Sequence, residues 1–255
     1  MIRTTTLLLT VSLSLIMSAI TAQAAPKKNP PPPPPIQISS LPFVISAPGT
    51  YVLAGNLTAP ITPYKVGAIN IATVVIGPVI VDLKGFAITG PGPWESGGIT
   101  DGIIIGSDGS GVTNPYPVTV RNGTINNFGI AIESTTPDNL ATITLSNITI
   151  DTIVFNLPPT TVDATGVAGV WFNNTSVSIV SNCTFNGITN DVTYGIADHF
   201  STGGNSYNNN IFLNMFYPIV VQSAAPIQLP SNTSHLVLNG CRFAPPPPPT
   251  RAGPP

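Results

Sequence analysis

A six-residue phrase recurs six times between residues 83 and 243, and it constrains the fold more than any other feature of the chain. Each copy begins with Leu, Val or Tyr and ends with Ile or Phe, and its third residue is Asn or Gly. The third residues of successive copies lie 25 to 37 residues apart. A fixed phrase with variable spacing is typical of a β-solenoid, in which coils share a strand–turn–strand corner and differ in loop length. The copies begin at Leu83, Val120, Leu145, Val180, Tyr207 and Leu238.

The phrase also predicts which side chains stack on one another. Successive coils of a solenoid pair about 4.8 Å apart, so equivalent residues superpose in columns. We expect the first and last positions to form the core, and the third position to form a ladder of Asn amides at a turn. Lys84 and Arg121 occupy the second position of the first two copies. They are expected to share a column, where they either bind an anionic sugar or are solvated turn residues.

The same register predicts the state of the two cysteines. Cys183 and Cys241 occupy one column two coils apart, with Asn210 between them. Their Cα atoms are then about 9 to 10 Å apart, whereas a disulfide needs less than about 7 Å. We therefore predict free thiols, unless residues 204–221 bulge out and let the pair bridge.

The ends of the chain have a different composition. Arg3, an apolar run over residues 7–20 and the small residues Ala22-Gln23-Ala24 indicate a signal peptide over residues 1–24. Pro-rich segments follow at 25–35 and at 245–255, where polyproline II structure is expected, and the folded domain is predicted over 36–244. We expect a secreted or cell-surface protein, extracellular or periplasmic, with no membrane span after cleavage.

Charged residues are scarce, which limits the partners that the protein can bind. The chain has 8 Lys and Arg against 10 Asp and Glu. Nucleic-acid affinity comes mainly from many basic contacts to phosphate, so nucleic acid is excluded as an expected partner. A surface rich in hydroxyls and amides suits polysaccharide or protein partners instead.

With this register, residues 43–243 resemble the pectin-lyase-like superfamily. The resemblance implies an all-β fold, a right-handed parallel β-helix of about six to eight coils. Thr100-Asp101-Gly102-Ile103 is similar to the end of the Asn-Thr-Asp-Gly-Ile motif of polygalacturonase-like hydrolases, but Ile99 replaces the Asn. That family's paired Asp and its Gly-His-Gly motif have no counterpart here. Glycoside hydrolysis needs two carboxyl groups, and Asp101 alone supplies one.

A second similarity is to pectate lyases, whose Trp-Ile-Asp-His segment resembles Ile196-Ala197-Asp198-His199-Phe200. The resemblance makes Asp198 and His199 candidates for acid–base catalysis, although adjacent strand residues point to opposite faces. Asp191 and Asp198 flank one loop and are candidate ligands for calcium, the one cofactor that we consider.

Trp94, in a Gly- and Pro-rich loop, is either a sugar-stacking platform or a loop anchor. Together with Lys84 and Arg121 it completes the predicted substrate-binding set. Because the candidate carboxylates are scattered along the sequence, we expect a non-catalytic β-helix that contacts extracellular polysaccharide or partner proteins. The alternative is a polysaccharide-degrading enzyme, a lyase rather than a glycoside hydrolase.

Overall fold

Short runs of β-branched residues, broken by Gly, Asn and Pro, form the strands of this protein. The computed structural model describes residues 32–60, 67–72, 75–92, 101–106, 116–135, 142–151, 168–173, 177–187, 194–199, 205–215, 217–222 and 237–244. These residues form twenty strands and no helix. The strands are β1 (Ile36–Ile38), β2 (Phe43–Ile45), β3 (Gly49–Leu53), β4 (Leu57–Thr58), β5 (Ile69–Ile71), β6 (Val79–Asp82), β7 (Ala87–Thr89), β8 (Asp101–Ile105), β9 (Val118–Asn126), β10 (Ile130–Thr135), β11 (Thr142–Asp151), β12 (Ala168–Asn173), β13 (Val177–Ser181), β14 (Thr184–Asn186), β15 (Tyr194–His199), β16 (Ser206–Asn208), β17 (Ile211–Leu213), β18 (Tyr217–Gln222), β19 (Val237–Asn239) and β20 (Arg242–Ala244).

The strands form two parallel sheets. Sheet A has thirteen strands, with β1, β3, β6, β9, β11, β13, β16 and β19 in spatial order and β4, β7, β14, β17 and β20 paired beside them. Sheet B has seven strands, in the order β18, β15, β12, β10, β8, β5, β2. The chain passes from one sheet to the other and back, which is compatible with a β-helix. The prediction of an all-β fold with parallel strands is confirmed.

No helix among these described residues is long and apolar enough to cross a membrane. The predicted signal peptide and the C-terminal Pro-rich tail lie outside the described residues, as does the Pro-rich linker before residue 32. Pro32 to Pro35 precede the first strand and are exposed. The described residues from Pro34 onward belong to one compact unit.

The columns predicted from the phrase are present in the strand register. Residues at the last position of the phrase pair with one another from coil to coil in parallel register. Residues at the first position do the same from the second copy of the phrase onward. Most of these side chains are buried, but Phe243 is 52% exposed because it ends its column on the final strand. The paired last positions are Ile88, Ile125, Ile150, Phe185, Phe212 and Phe243.

The first copy of the phrase departs from the predicted register. Val81, not Leu83, pairs with Val120, so Arg121 pairs with Asp82 and does not share a column with Lys84. Beyond the corner, Ala87 pairs with Thr124 as predicted. The first corner is two residues longer than the second, because Lys84 and Gly85 both adopt positive φ and form an additional tight turn.

The third position of the phrase has a left-handed backbone in all six copies. The φ angles are 81° for Gly85, 61° for Asn122, 54° for Asn147 and Asn182, 53° for Asn209 and 65° for Gly240. Only Gly, and to a lesser extent Asn, adopts this conformation at low energy, which explains the restriction seen in the sequence. Asn147 Nδ2 donates a 3.2 Å hydrogen bond to Asn122 Oδ1, as predicted for an amide ladder.

Glycines of sheet B lie opposite the column of phenylalanine side chains in sheet A. The rings of Phe185 and Phe212 stack 4.9 Å apart, with an interplanar angle of 8°. A Cβ atom added to Gly169 would lie 2.7 Å from Phe185 Cδ1, and one added to Gly195 would lie 2.6 Å from Phe212 Cδ1. These glycines therefore make room for the aromatic stack.

The cysteines are free, as predicted. Asn210 lies between their positions: its Oδ1 accepts a 2.9 Å hydrogen bond from Cys183 N, and its main-chain carbonyl accepts one of 2.9 Å from Arg242 N. Asn210 is completely buried and its Nδ2 donates to Val180 O. The buried Asn210 amide thus supplies hydrogen-bond partners for the main-chain N–H of Cys183 and the carbonyl of Val180 at the corner.

Candidate functional site

The first corner of sheet A gathers the charged side chains of the candidate site. β6 ends at Asp82, the Lys84-Gly85 turn follows, and β9 places Arg121 directly beside Asp82. Asn122 comes next on β9, and Asn147 is its neighbour on β11. We call Asp82, Lys84, Arg121, Asn122 and Asn147 the corner site.

Asp82 organises the corner site. Its Oδ2 accepts a 3.0 Å hydrogen bond from Arg121 Nε, which is also an ion pair. Its Oδ1 accepts hydrogen bonds from Lys84 N at 3.0 Å and from Asn122 Nδ2 at 3.2 Å. Burial raises the pKa of Asp82, but the hydrogen bonds from Lys84 and Asn122 and the charge of Arg121 outweigh it, so the pKa lies below its ordinary value. Asp82 is therefore ionised at neutral pH.

The corner site offers oriented donors to an anionic ligand. The Arg121 side chain is 42% exposed, and Nε alone contacts Asp82, so the two terminal nitrogens of the guanidinium are further donors. Lys84 is exposed on the adjacent turn. With Asp82 ionised, the side chains of Asp82, Lys84 and Arg121 carry one net positive charge. A fixed guanidinium binds planar carboxylates in a bidentate manner.

Polar columns extend the outer face of sheet A beyond the corner. Thr124, Thr149 and Thr184 form one column of paired residues, and Asn126, Asp151 and Asn186 form another. Asn186 Nδ2 donates to Asp151 Oδ1 at 2.8 Å, and Asn214 Nδ2 donates to Asn186 Oδ1 at 3.0 Å. The surface beside the corner site thus presents hydroxyls, amides and one carboxylate in fixed rows.

Two of the three candidate catalytic residues, Asp101 and Asp198, lie in the interior of the protein. Asp101 and Asp198 are both 0% exposed. Asp198 Oδ2 accepts hydrogen bonds from Tyr207 OH at 2.8 Å and from Asn205 Nδ2. β10 and β12 separate Asp101 on β8 from Asp198 on β15, three strand spacings or roughly 14 Å. His199 is the last residue of β15, where it pairs with Asn173 and Gln222.

The remaining predicted site residues stay predictions. Trp94 and Asp191 lie outside the described residues, so neither the platform nor the Asp191–Asp198 calcium site is tested. Among the residues that the structure describes, no group of three His, Cys, Asp or Glu side chains could hold a metal ion. Tyr207 and Asn205 both donate to Asp198 Oδ2 within the core.

Sequence reasoning missed the part that Asp82 plays in the site. The phrase aligns Lys84 with Arg121, whereas Asp82 accepts one hydrogen bond from the main chain of Lys84 and another from the side chain of Arg121. An acidic residue two positions before a Lys-Gly turn was the available signal, because such a side chain can accept the backbone N–H of the turn.

Comparisons with known proteins gave no relatives. No family model, curated protein or solved structure matches this chain.

Proposed function

We propose that this chain is a secreted, non-catalytic right-handed parallel β-helix of the pectin-lyase-like type, which binds acidic polysaccharide at the corner site and the adjoining outer face of sheet A. The fold proposal is supported by two parallel sheets that the chain visits in turn, and by a corner with positive φ in all six copies of the phrase.

The single observation that carries the binding proposal is the ion pair that holds the Arg121 guanidinium beside Asp82. Arg121 Nε donates a 3.0 Å hydrogen bond to Asp82 Oδ2, and the main-chain N–H of Lys84 donates one of 3.0 Å to Asp82 Oδ1, which fixes the backbone of the turn that carries Lys84. An arginine side chain held in place loses less conformational freedom on binding, which favours affinity. The terminal nitrogens of Arg121 and the Lys84 ammonium then suit the carboxylates of uronic acid residues, while the neighbouring threonine and asparagine columns suit sugar hydroxyls.

The placement of Asp101 and Asp198 supports a non-catalytic protein. Glycoside hydrolases hold two carboxyl groups about 5 to 9.5 Å apart on either side of the bond that is cleaved. Asp101 and Asp198 are roughly 14 Å apart across the strands alone and are fully buried. Neither carboxylate is accessible to a polysaccharide chain on the surface.

A binding experiment with matched arginine variants tests this proposal. Calorimetric titration of the full chain with polygalacturonate, alginate and the neutral polymer dextran gives the affinities. We expect binding to both acidic polymers, weakened by salt, and a loss of at least about tenfold in Arg121→Ala, because charge-assisted hydrogen bonds contribute roughly 1.5 to 3 kcal/mol. Arg242→Ala is the matched control: it removes the same charge from exposed Arg242 on β20, four strand spacings or roughly 19 Å from β9.

Each outcome bears on the proposal directly. If Arg121→Ala and Arg242→Ala lost equal affinity for the acidic polymers, the binding would be non-specific charge attraction. The proposal of a binding site at the corner would then be wrong. Incubation with the same polymers, followed by absorbance of unsaturated sugar ends and by a reducing-end assay, tests catalysis. A rise in either signal would establish a lyase or a hydrolase and overturn the non-catalytic assignment.

A further inference from the structure

The chain carries seven Asn-x-Ser/Thr sequences, the acceptor signal for an N-linked glycan. A glycan is bulky and hydrophilic, so it needs an exposed asparagine with room beside the amide nitrogen. The contacts and exposure of each described asparagine therefore separate favourable acceptors from unfavourable ones. The signals at Asn174 and Asn232 lie outside the described residues. The signals begin at Asn56, Asn122, Asn147, Asn173, Asn174, Asn182 and Asn232.

Asn56 lies in the turn between β3 and β4 and has the features of an acceptor. Asn56 is exposed, and so is Thr58, the hydroxyl residue of its signal. Asn56 Oδ1 accepts a 2.9 Å hydrogen bond from Ala87 N on β7. This contact uses the amide oxygen, whereas a glycan is attached to the amide nitrogen Nδ2. The side chain is therefore held in place by a contact that does not involve the acceptor atom.

Two other signals have their amide nitrogens inside the asparagine ladder. Asn122 Nδ2 donates a 3.2 Å hydrogen bond to Asp82 Oδ1, and Asn147 Nδ2 donates one of 3.2 Å to Asn122 Oδ1. A sugar on either nitrogen would crowd the neighbouring strand. Asn182 is exposed, but Thr184, the hydroxyl residue of its signal, is only partly exposed. Asn56 thus combines features that these three asparagines lack.

The position of Asn56 gives a glycan a physical role. Among the strands that the structure describes, β4 pairs with β7 alone, so its other side is a sheet edge. An unpaired edge favours association with the strand of another chain. The protein has only 8 Lys and Arg and 10 Asp and Glu in 255 residues, so charge repulsion between copies is weak. A hydrophilic group on Asn56, directly before β4, would hinder pairing at this edge.

We infer that Asn56 accepts an N-linked glycan, which covers the outer edge of β4. The inference rests on the export proposed above, because the acceptor signal acts in secreted proteins. In the transfer, Asn56 Nδ2 forms a bond to the anomeric carbon of an oligosaccharide carried on a lipid diphosphate. The bond from that carbon to the diphosphate oxygen breaks and the lipid diphosphate leaves. The proton lost by Nδ2 passes to a base of the transferase.

Peptide mass spectrometry of the full-length chain, expressed in insect cells, tests the acceptor site. Peptide-N-glycosidase converts a glycosylated asparagine to aspartate, and an untreated sample measures spontaneous deamidation. We expect enzyme-dependent conversion of Asn56 in most molecules recovered from the medium, and no such conversion of Asn122.

Variants of Thr58 separate glycosylation from folding. Thr58→Ala removes the acceptor signal but keeps Asn56 and its hydrogen bond to Ala87, so it should abolish the conversion. Thr58→Ser is the matched control, because it keeps a hydroxyl and should retain the conversion. At equal concentration, Thr58→Ala should form larger species than Thr58→Ser in size-exclusion chromatography, because the edge of β4 is uncovered.

The cell fraction that contains the chain distinguishes this inference from the proposed export. Unmodified Asn56 in chains recovered from the medium would overturn the inference and leave the proposed export intact. A chain retained in the cytosol with residues 1–24 attached would overturn the export and this inference with it. Equal elution of Thr58→Ala and Thr58→Ser would show that the glycan does not cover the edge of β4.

Discussion

The Tyr207 hydroxyl donates a 2.8 Å hydrogen bond to Asp198 Oδ2, which links sheet A to sheet B through the interior. Both residues are 0% exposed. Asn205 also donates to Asp198, and its Oδ1 accepts a 2.8 Å hydrogen bond from Ser178 N. A buried carboxylate is tolerated only where donors satisfy it, so these contacts are a condition of the fold at this end of β15.

Loss of the Tyr207 hydroxyl should therefore destabilise the protein. Tyr207→Phe leaves one donor fewer on a buried acceptor, and we expect the free energy of unfolding to fall by about 1 to 3 kcal/mol. Urea unfolding followed by circular dichroism measures the change. Tyr51→Phe is the matched control, because Tyr51 is also buried but donates to a neutral carbonyl, that of Ala47, at 2.8 Å. A loss in Tyr207→Phe no larger than that in Tyr51→Phe would contradict the importance of the Asp198 contact.

The two thiols should differ in reactivity. Cys183 is 1% exposed, and burial raises the pKa of its thiol to about 11 despite hydrogen bonds from the main chain. Cys241 is partly exposed. Because the thiolate is the reactive form, iodoacetamide at pH 8 should modify Cys241 of the native protein and leave Cys183 intact until urea unfolds the chain. Mass spectrometry of peptides over time measures this order. Equal rates in the native state would show that Cys183 is accessible.

The parts of the fold that follow from local chemistry could be predicted from the sequence. Asn122 and Asn147 predict a left-handed corner, because few other residues adopt that backbone conformation at low energy. The two side chains are hydrogen-bonded neighbours in one column. The register around Lys84 could not be predicted, because a second left-handed residue in the same turn adds chain length without changing the phrase. Two registers then fit the sequence equally well, and pairing with β9 decides between them.

The interior position of Asp198 was also beyond sequence reasoning. Its segment resembles a catalytic motif, and a carboxylate is assigned to the surface by default because burial of a charge is unfavourable. The donors that make burial possible, Tyr207 and Asn205, lie on or beside the next strand of the other sheet. The phrase predicts that Tyr207 is a core residue, but the partner of its hydroxyl depends on how the two sheets face each other.

A methyl group added at Gly169 should disturb the aromatic column. The new Cβ atom would lie 2.7 Å from both Phe185 Cδ1 and the carbonyl oxygen of Gly195. Because the carbonyl belongs to the neighbouring strand, the clash cannot be relieved by a side-chain rotation alone. We expect Gly169→Ala to lower the free energy of unfolding by about 1 to 3 kcal/mol in urea unfolding. Gly55→Ala, where nothing lies within 4 Å, is the control and should have an effect of less than about 0.5 kcal/mol.

The Asp82 carboxylate should make stability depend on acid pH. Its pKa in the folded protein lies below the ordinary value, so its contribution is present in full above about pH 4 and is lost as the pH falls through the folded pKa. Asp82→Asn cannot ionise, and we expect it to be less stable than wild type by about 1 to 3 kcal/mol at pH 7, with the difference shrinking below pH 4. Urea unfolding at pH 7, 5, 3 and 2 measures this trend.

A second variant of the corner site separates ionisation from packing. Asn147→Gly keeps a left-handed backbone and removes the amide that donates to Asn122 at 3.2 Å, so its loss of stability should not change with pH. If the difference between wild type and Asp82→Asn stayed constant from pH 7 to pH 2, as it should for Asn147→Gly, the carboxylate would not be ionised in its contacts with Arg121 and Lys84. The guanidinium would then lack the charged partner that orients it, and the acidic-polysaccharide site would lose its physical basis.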